Sequence, residues 1–353
     1  MVYMNAEAIV VGASIAGCVC ARELATRGVK TLVLEEHSKP GKFGKCTAMV
    51  SKRGLELTGV RYKKTVLNQV SAADFWAGKN CLSVRSPRTQ AMVLDRQAFD
   101  EQSANQALDA GAGIKLNTRV KTLSLSSKVI IGADGAASAV ARLARFPQIP
   151  SNNFVLGWEA EYEKASISDS SKVDVFLEPE FNDFFGWMVP CGDDSARIGF
   201  CTSDFASLAK GRKHLTQLPR VRETLAPKSR VKKEFTAVIP LAARKQTQKD
   251  GVLLVGDAAG QVKATTGGGI VFGSLCAKTA AECVAKHLRE GTPLDYETRW
   301  RREHGGTLST HAVIRGALNT VPYWLIKAKI SFLSALGFGK LLERFGDMDF
   351  VVK

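Results

Sequence analysis

The residues from Gly251 to Gly273, GVLLVGDAAGQVKATTGGGIVFG, place a carboxylate and a run of bare backbone amides in one short stretch. Asp257 follows Gly256 at the end of the apolar run 252–255, which is bounded by glycines in the manner of a fully buried strand. A carboxylate at such a strand end accepts hydrogen bonds from sugar hydroxyls. Thr265 and Thr266 offer caps to a helix whose first turn is expected at Gly267, Gly268 and Gly269, running on into Ile270. Three successive glycines weaken a helix. What they allow is the close approach of a flat ligand to free N–H groups and to the positive end of the helix dipole. The plain structural alternative is a tight strand-to-helix turn.

A second glycine turn stands near the N-terminus. Residues 8–11 form an apolar run into Gly12-Ala13-Ser14-Ile15-Ala16-Gly17, followed by a helical pattern through Ala25 and a second run at 31–34 that ends at Glu35. Strand, glycine turn, helix, strand and acid in this order suit a dinucleotide, with pyrophosphate on the helix N-terminus and a carboxylate on the ribose. Ser14 occupies the place of the usual second glycine and is small enough for the same backbone approach. The loop HSKPGKFGKCTAMVS at 37–51 then replaces a regular crossover. It carries Cys46 and can reach across a cofactor. Asp95 is expected to cap a helix opened by Arg96 and running to about Ala110. Another buried strand ends in Gly132-Ala133-Asp134-Gly135, so the acidic turn recurs.

A sheet must hold these turns side by side, and the rest of the chain is long enough to build a second lobe. The 353 residues, 45% hydrophobic and 24% charged, are those of a globular protein without repeats or low-complexity tracts. The net charge of +15 predicts attraction to an anion: nucleic acid, a phosphorylated substrate or an acidic membrane surface. Basic clusters at 210–213, 228–233 and 299–302 come without aromatic-rich recognition motifs or finger spacing, which argues against nucleic acid. The eight cysteines form no CxxC pair and no cluster with histidine, so reduced buried thiols of a cytoplasmic protein are expected and a metal centre is not. The first residues lack the basic stretch and the long apolar run of a signal peptide or membrane span.

From 154 to about 238 the pattern changes to alternating strands, which read as an antiparallel lobe. Phe184, Trp187 and Pro190, with Phe181, Phe185 and Met188 nearby, either line a substrate surface there or fill its core. The expected division is a discontinuous cofactor domain at 1–65, 92–150 and 237–290, a substrate domain at 66–91 and 151–236, and a helical region at 291–353. Short strands are expected at 111–129, and helices from Gly273 to about Glu290, at 296–318 and at 324–336. The last is apolar, with Lys327 and Lys329 pointing to different sides. It either docks on the protein or lies partly in a membrane interface.

The turn at 12–17 with Glu35, the Asp95-Arg96 helix start, GADGAAS at 132–138 and GDAAG at 256–260 together resemble the flavoproteins of the p-hydroxybenzoate hydroxylase fold. That is an α/β architecture with a Rossmann-like FAD-binding domain, an antiparallel substrate domain and C-terminal helices. Within that superfamily, KCTAMVS at 45–51, GWMVP at 186–190, GDAAGQVKATTGGGI at 256–270 and GDMDF at 346–350 resemble the geranylgeranyl reductases, especially the archaeal enzymes that saturate the isoprenoid chains of ether lipids. Three departures, Ser14 for glycine, Ala48 for glycine and Ala264 for proline, touch geometry rather than a charged or nucleophilic group.

The resemblance implies FAD in extended form. Gly12 and Gly17 then lie on the pyrophosphate, Glu35 on the adenosine ribose, Arg96 near the middle, Asp257 on the ribityl or pyrophosphate side, and Gly267, Gly268, Gly269 and Ile270 at the pyrimidine end of the ring. Ser14, Ala16, Glu36, Lys45, Cys46, Thr47, Ala48, Val120, Asp134 and Gly256 complete the implied lining. The implied reaction puts a hydride and a proton across a C=C bond, with Cys46 either the proton donor or a packing thiol. The implied substrate is a prenylated glycerophospholipid or geranylgeranyl diphosphate, the reductant NAD(P)H or a small electron carrier, and the place the cytoplasm, with peripheral contact to an anionic membrane face. Two other readings stay open. One is an FAD-dependent monooxygenase of an apolar substrate, although the flavin-halogenase tryptophan motif is half present, with Phe185 in place of its first tryptophan. The other is a non-catalytic basic flavoprotein at a membrane surface.

Overall fold

The structure, a computed structural model, describes residues 6–42, 44–225, 227–335 and 349. Six strands form the first sheet in the order Gln248–Lys249, Val252–Leu254, Val129–Gly132, Ala8–Val11, Thr31–Leu34, Gly113–Lys115. All neighbours run parallel except the first two. Almost every residue of the three central strands is buried, because helices cover one face and loops the other. Each buried Val, Leu or Ile there contributes on the order of 1.5–3 kcal/mol. The Ile15–Thr26 helix packs between Arg96–Asp109 and Ile270–Glu290 on the first face.

The register of this sheet decides where the chemistry sits. Val11 pairs with both Leu34 and Gly132, and Gly132 with Leu254. The four strands therefore end level, and Gly12, Glu35, Ala133-Asp134 and Gly256-Asp257 leave the sheet along one edge. In an open parallel sheet that carboxyl edge is where ligands bind.

The second sheet has seven strands in the order Arg230–Pro240, Phe154–Glu163, Ser195–Thr202, Gly186–Pro190, Lys172–Phe176, Ala72–Ala77, Asn80–Arg85. It is antiparallel as expected except where Lys172–Phe176 pairs parallel with Ala72–Ala77. A small sheet of Met49–Ser51, Ala91–Leu94 and Val66–Val70 joins the two lobes, so residues 66–70 stand apart from the strands grouped with them by sequence.

Two expectations are corrected and two helices are found where expected. The glycines at 267–269 are not the first helical turn: Gly267 sits at φ +69°, outside the right-handed helix, and the helix begins at Ile270 with Gly269 as its N-cap. The region 111–129 yields only the strand Gly113–Lys115 before Val129, since that strand already closes the sheet edge. The helix expected at 296–318 is present as one continuous helical run from Tyr296–Trp300 through a π-helical stretch at Arg301–Gly305 into Gly306–Asn319, where Gly305-Gly306 weakens the α register. The helix expected at 324–336 is found as Tyr323–Ala335, the last among the described residues, and of the GDMDF motif only Asp349 lies within them. No helix among the described residues is long and apolar enough to cross a membrane.

Candidate active site

At the first turn, Gly12 has φ +104°, and a Cβ there would lie 2.5 Å from the Ala133 carbonyl oxygen. Only glycine lets the strand turn this tightly against its neighbour. Glu35 is buried at the end of the next strand. Its Oε2 accepts the Ala13 N–H at 2.7 Å and its Oε1 accepts the His37 N–H at 2.9 Å, which pins the glycine turn to the acid. Glu36 is exposed and pairs with Arg119.

Arg96 links this turn to the loop that carries Cys46. Asp95 caps its helix as expected, accepting the Ala98 N–H at 3.0 Å. The Arg96 guanidinium donates to Ser14 Oγ at 2.7 Å and to Asp100 Oδ2 at 3.0 Å, and it lies against the Cys46 sulfur. Burial works against its charge, but Asp100 and then Cys46 more than offset this and hold Arg96 above its ordinary pKa. Burial pushes the Asp100 carboxyl up, against the opposing pull of Arg96.

Ala48 is buried at φ +53°, a left-handed conformation that explains why glycine would be the easier residue there. The backbone N–H of Ala48 donates to Cys46 Sγ at 3.2 Å, closing a short turn around the thiol. Cys46 is half-buried and Lys45 exposed.

The second lobe grips this loop. The Thr47 hydroxyl donates to Glu159 Oε2, and the Thr47 carbonyl accepts from Arg197 Nη1 at 2.7 Å. Lys233 Nζ donates to the Gly44 carbonyl at 2.7 Å. Glu159 is 2% exposed, and its Oε2 also accepts the indole N–H of Trp187 at 2.9 Å. Burial raises the Glu159 carboxyl above its usual range, opposed by the Thr47 hydrogen bond, the Arg197 charge and the Trp187 N–H. Trp187 can lie there because its neighbour is Gly199, where a Cβ would stand 2.7 Å from the indole ring.

From Trp187 the contacts run through aromatic rings to the second glycine turn. Phe185 meets Trp187 edge-on at 6.0 Å and stacks on Phe184 at 4.6 Å. Phe184 in turn comes within 3.8 Å of the place a Cβ on Gly267 would take. At the far end of that turn Gly269 leaves room for Asp257, whose Oδ1 is 2.6 Å from the position of a missing Cβ. Asp257 is raised by burial and pulled back by the charge of Arg96. The contacts thus form an open circuit: Ser14, Arg96, Cys46-Thr47, Glu159, Trp187, Phe185, Phe184, Gly267, Gly269 and Asp257, whose carboxylate feels the charge of Arg96 without touching it.

Several predicted residues stand outside this circuit. Asp134 lies beside Gly12 but both its oxygens are engaged, by the Ser138 hydroxyl at 2.5 Å and the Val140 N–H at 3.0 Å, so it holds the turn before the next helix. Val120 packs with Ile9, Val11 and Leu34 in the apolar layer under the sheet. Pro190 is buried, and its carbonyl accepts from Asn68. In the basic clusters Arg212 pairs with Glu234, Lys232 with Glu161, Arg299 with Glu282 and Glu303, and Arg301 with Glu297.

Two groupings were not read from the sequence, although most members of the second lie in the quoted motifs. Glu159 and Arg197 are one. The other lies beneath the glycine turn, where Asp349 accepts from Ser51 and Lys263. His311 bridges Asp349 and Thr265, with Nε2 at 3.2 Å from the Asp349 carbonyl and Nδ1 at 2.7 Å from Thr265 Oγ1. A carbonyl can only accept, so the proton sits on Nε2 and Nδ1 takes the threonine hydroxyl. Burial lowers the His311 pKa and keeps this neutral form.

Two observations fit an elongated dinucleotide carrying a flat ring. Asp257 is half-buried at its strand end, and its carboxylate has no hydrogen-bond or ion-pair partner among the described residues. The N–H groups of Gly269, Ile270 and Val271 open the Ile270–Glu290 helix without a partner among those residues. Two shallow surface hollows, at Ser166, Arg220 and Glu223 and at Leu125, Lys128 and Asp250, share no residue with the circuit.

Comparisons with known proteins agree with this layout. Residues 10–66 match the NAD(P)-binding Rossmann-like domain family. An uncharacterized protein of Methanocaldococcus jannaschii is 25% identical over 97% of this chain and 92% of its own length. The digeranylgeranylglycerophospholipid reductase of Methanothrix thermoacetophila is 28% identical over 87% of this chain and 86% of its own. Among solved structures, a geranylgeranyl bacteriochlorophyll reductase-like protein of Thermoplasma acidophilum has a TM-score of 0.84 at 20% identity, covering 94% of this chain and 91% of that one. The p-nitrophenol 4-monooxygenase of Pseudomonas putida has a TM-score of 0.74 at 16% identity, covering 96% and 95%. The resemblance read from the motifs is borne out: the fold is that of the p-hydroxybenzoate hydroxylase-type flavoproteins, and along most of its length the chain is similar to proteins named digeranylgeranylglycerophospholipid reductase.

Proposed function

We propose that this protein is an FAD-dependent reductase that saturates C=C bonds of geranylgeranyl groups in an isoprenoid glycerophospholipid. The observation that carries the reading is this circuit of contacts. It sets one thiol, Cys46, between a dinucleotide fold and an aromatic strand, and the Trp187–Glu159–Thr47 contacts fix its loop. In this reading the turn at Gly12 to Gly17 holds the pyrophosphate, Glu35 the ribose, Asp257 and Arg96 the connecting chain, and the amides of Gly269 and Ile270 the pyrimidine end of the ring.

FAD, when bound and reduced, supplies a hydride. The chain supplies position and a proton. An isolated alkene is unpolarised, so holding it in line and delivering the proton carry much of the barrier. Phe184, Phe185 and Trp187 offer a face for an isoprenoid chain, and Cys46 gives its S–H proton to the second alkene carbon. Half-exposed, Cys46 regains that proton from water. Each turnover adds two hydrogens to the substrate. Arg96, beside the sulfur, stabilises the thiolate left behind.

The charge of +15 supports recruitment to anionic headgroups where such a lipid resides. Anaerobic turnover of a digeranylgeranyl glycerophospholipid by the reduced protein tests the reading. Oxygen-dependent hydroxylation of an apolar substrate in its place would favour the monooxygenase alternative that the shared fold leaves available.

A further inference from the structure

Among the described residues the four most exposed large hydrophobic side chains are Val313 at 71%, Trp324 at 69%, Phe332 at 64% and Leu318 at 57%, and no other exceeds 48%. All four belong to the last two helices, Gly306–Asn319 and Tyr323–Ala335. The sequence around them is unusual in charge. Residues 304–342 contain no aspartate or glutamate, and their formal charges are Arg315, Lys327, Lys329 and Lys340.

The exposed face is held in place from behind. Ile330 is buried with Ala77 and Leu82, and Ile326 and Leu333 pack on the same cluster. The Tyr323 hydroxyl donates to Glu178 at 3.0 Å, and Asn80 donates to the Lys327 carbonyl at 3.1 Å. Trp324, Ala328 and Phe332 recur every fourth residue, about half a turn from Ile326, Ile330 and Leu333. One stripe is docked and the opposite one faces solvent.

We propose that this helical pair is the surface by which the protein sits on an anionic phospholipid bilayer, with Trp324 and Phe332 at the headgroup boundary and Lys327 and Lys329 reaching the phosphates. Aromatic rings flanked by lysines on an acid-free helix match that interface. A second copy of the chain fits poorly, because a self-contact would bring two all-cationic faces together.

The other helix of the pair, Gly306–Asn319, leads to the candidate active site. His311 is bonded to Thr265, and the Arg315 guanidinium lies 5.1 Å from the Phe184 ring centre. This route for a prenyl chain from bilayer to Phe184 rests on the proposed function; the docking itself does not.

The test is co-sedimentation of the full-length protein with phosphatidylglycerol and with phosphatidylcholine vesicles. Wild type should bind phosphatidylglycerol selectively, and Trp324→Ser/Phe332→Ser should bind it about tenfold or more weakly. Lys327→Gln/Lys329→Gln, which spares the aromatic rings, should remove most of the preference for the anionic lipid. Turnover of a detergent-dispersed prenyl substrate should be unchanged in both. Equal vesicle binding by wild type and both variants would overturn the proposal, as would self-association without vesicles that the aromatic variant abolishes. Vesicle binding as expected with no alkene reduction in detergent would leave the docking surface standing and remove the proposed function.

Discussion

The indole N–H of Trp187 and the hydroxyl of Thr47 donate to the same oxygen, Oε2 of Glu159, at the junction between the two lobes. One carboxylate thereby sets the distance between an aromatic strand and the Cys46 turn. Glu159→Gln keeps the size but weakens the acceptor. The expected result is a several-fold loss of alkene turnover with FAD affinity changed by less than about twofold. Flavin titration alongside steady-state kinetics checks this, and a parallel loss of FAD would give Glu159 a different role.

The same residue predicts a pH effect. Burial raises the folded-state Glu159 pKa above its ordinary 4.5, so the folded protein holds this proton more firmly than the unfolded chain. The stability that this adds is present below 4.5 and is lost as pH rises through the folded-state value. Urea denaturation across an acid-to-neutral series should show the wild type losing ground to Glu159→Gln as pH rises.

Asp257 makes a two-sided prediction, because its carboxylate is buried enough to be raised and has no partner among the described residues. Asp257→Ala should weaken FAD by about 10- to 100-fold, the loss of a charge-assisted hydrogen bond worth roughly 1.5–3 kcal/mol. The flavin-free protein should be no less stable than wild type in thermal melts. Unchanged FAD affinity would mean that this carboxylate does not hold the cofactor.

Ala48→Gly should stabilise the protein. At φ +53° an alanine carries about 1–2 kcal/mol of left-handed strain, and glycine's larger unfolded-state entropy returns about half of that. A net gain of roughly 0.5–1 kcal/mol by urea denaturation is expected.

Cys46→Ser should retain flavin and slow alkene reduction by about 10²- to 10⁴-fold, the range for loss of a positioned proton donor. Undiminished turnover would make the thiol a packing group.

Much of this site was legible because its signals are local. The turn at Gly12, the acid at Glu35 and the Asp95 cap each follow from residues within one strand–turn–helix unit, and the parallel register then aligns them. Glu159 was silent because a glutamate on an alternating strand looks like any solvent-facing residue, and its partner Thr47 is 112 positions away. Asp349 was visible only as part of a motif; its role under Thr265 depends on His311, which no spacing connects to it. The helix start was misplaced at Gly267 because composition marks where glycines cluster, whereas backbone angles decide where a helix begins.

The proposed reaction adds hydrogen across an isoprenoid C=C bond. Its most direct test is anaerobic incubation of the dithionite-reduced, FAD-loaded protein with digeranylgeranylglycerophosphate, followed by mass spectrometry. Successive two-hydrogen increments in product mass, abolished or strongly slowed in Cys46→Ser, are the predicted result. A substrate recovered at unchanged mass while the flavin stays bound and reduced would rule out alkene reduction by this protein.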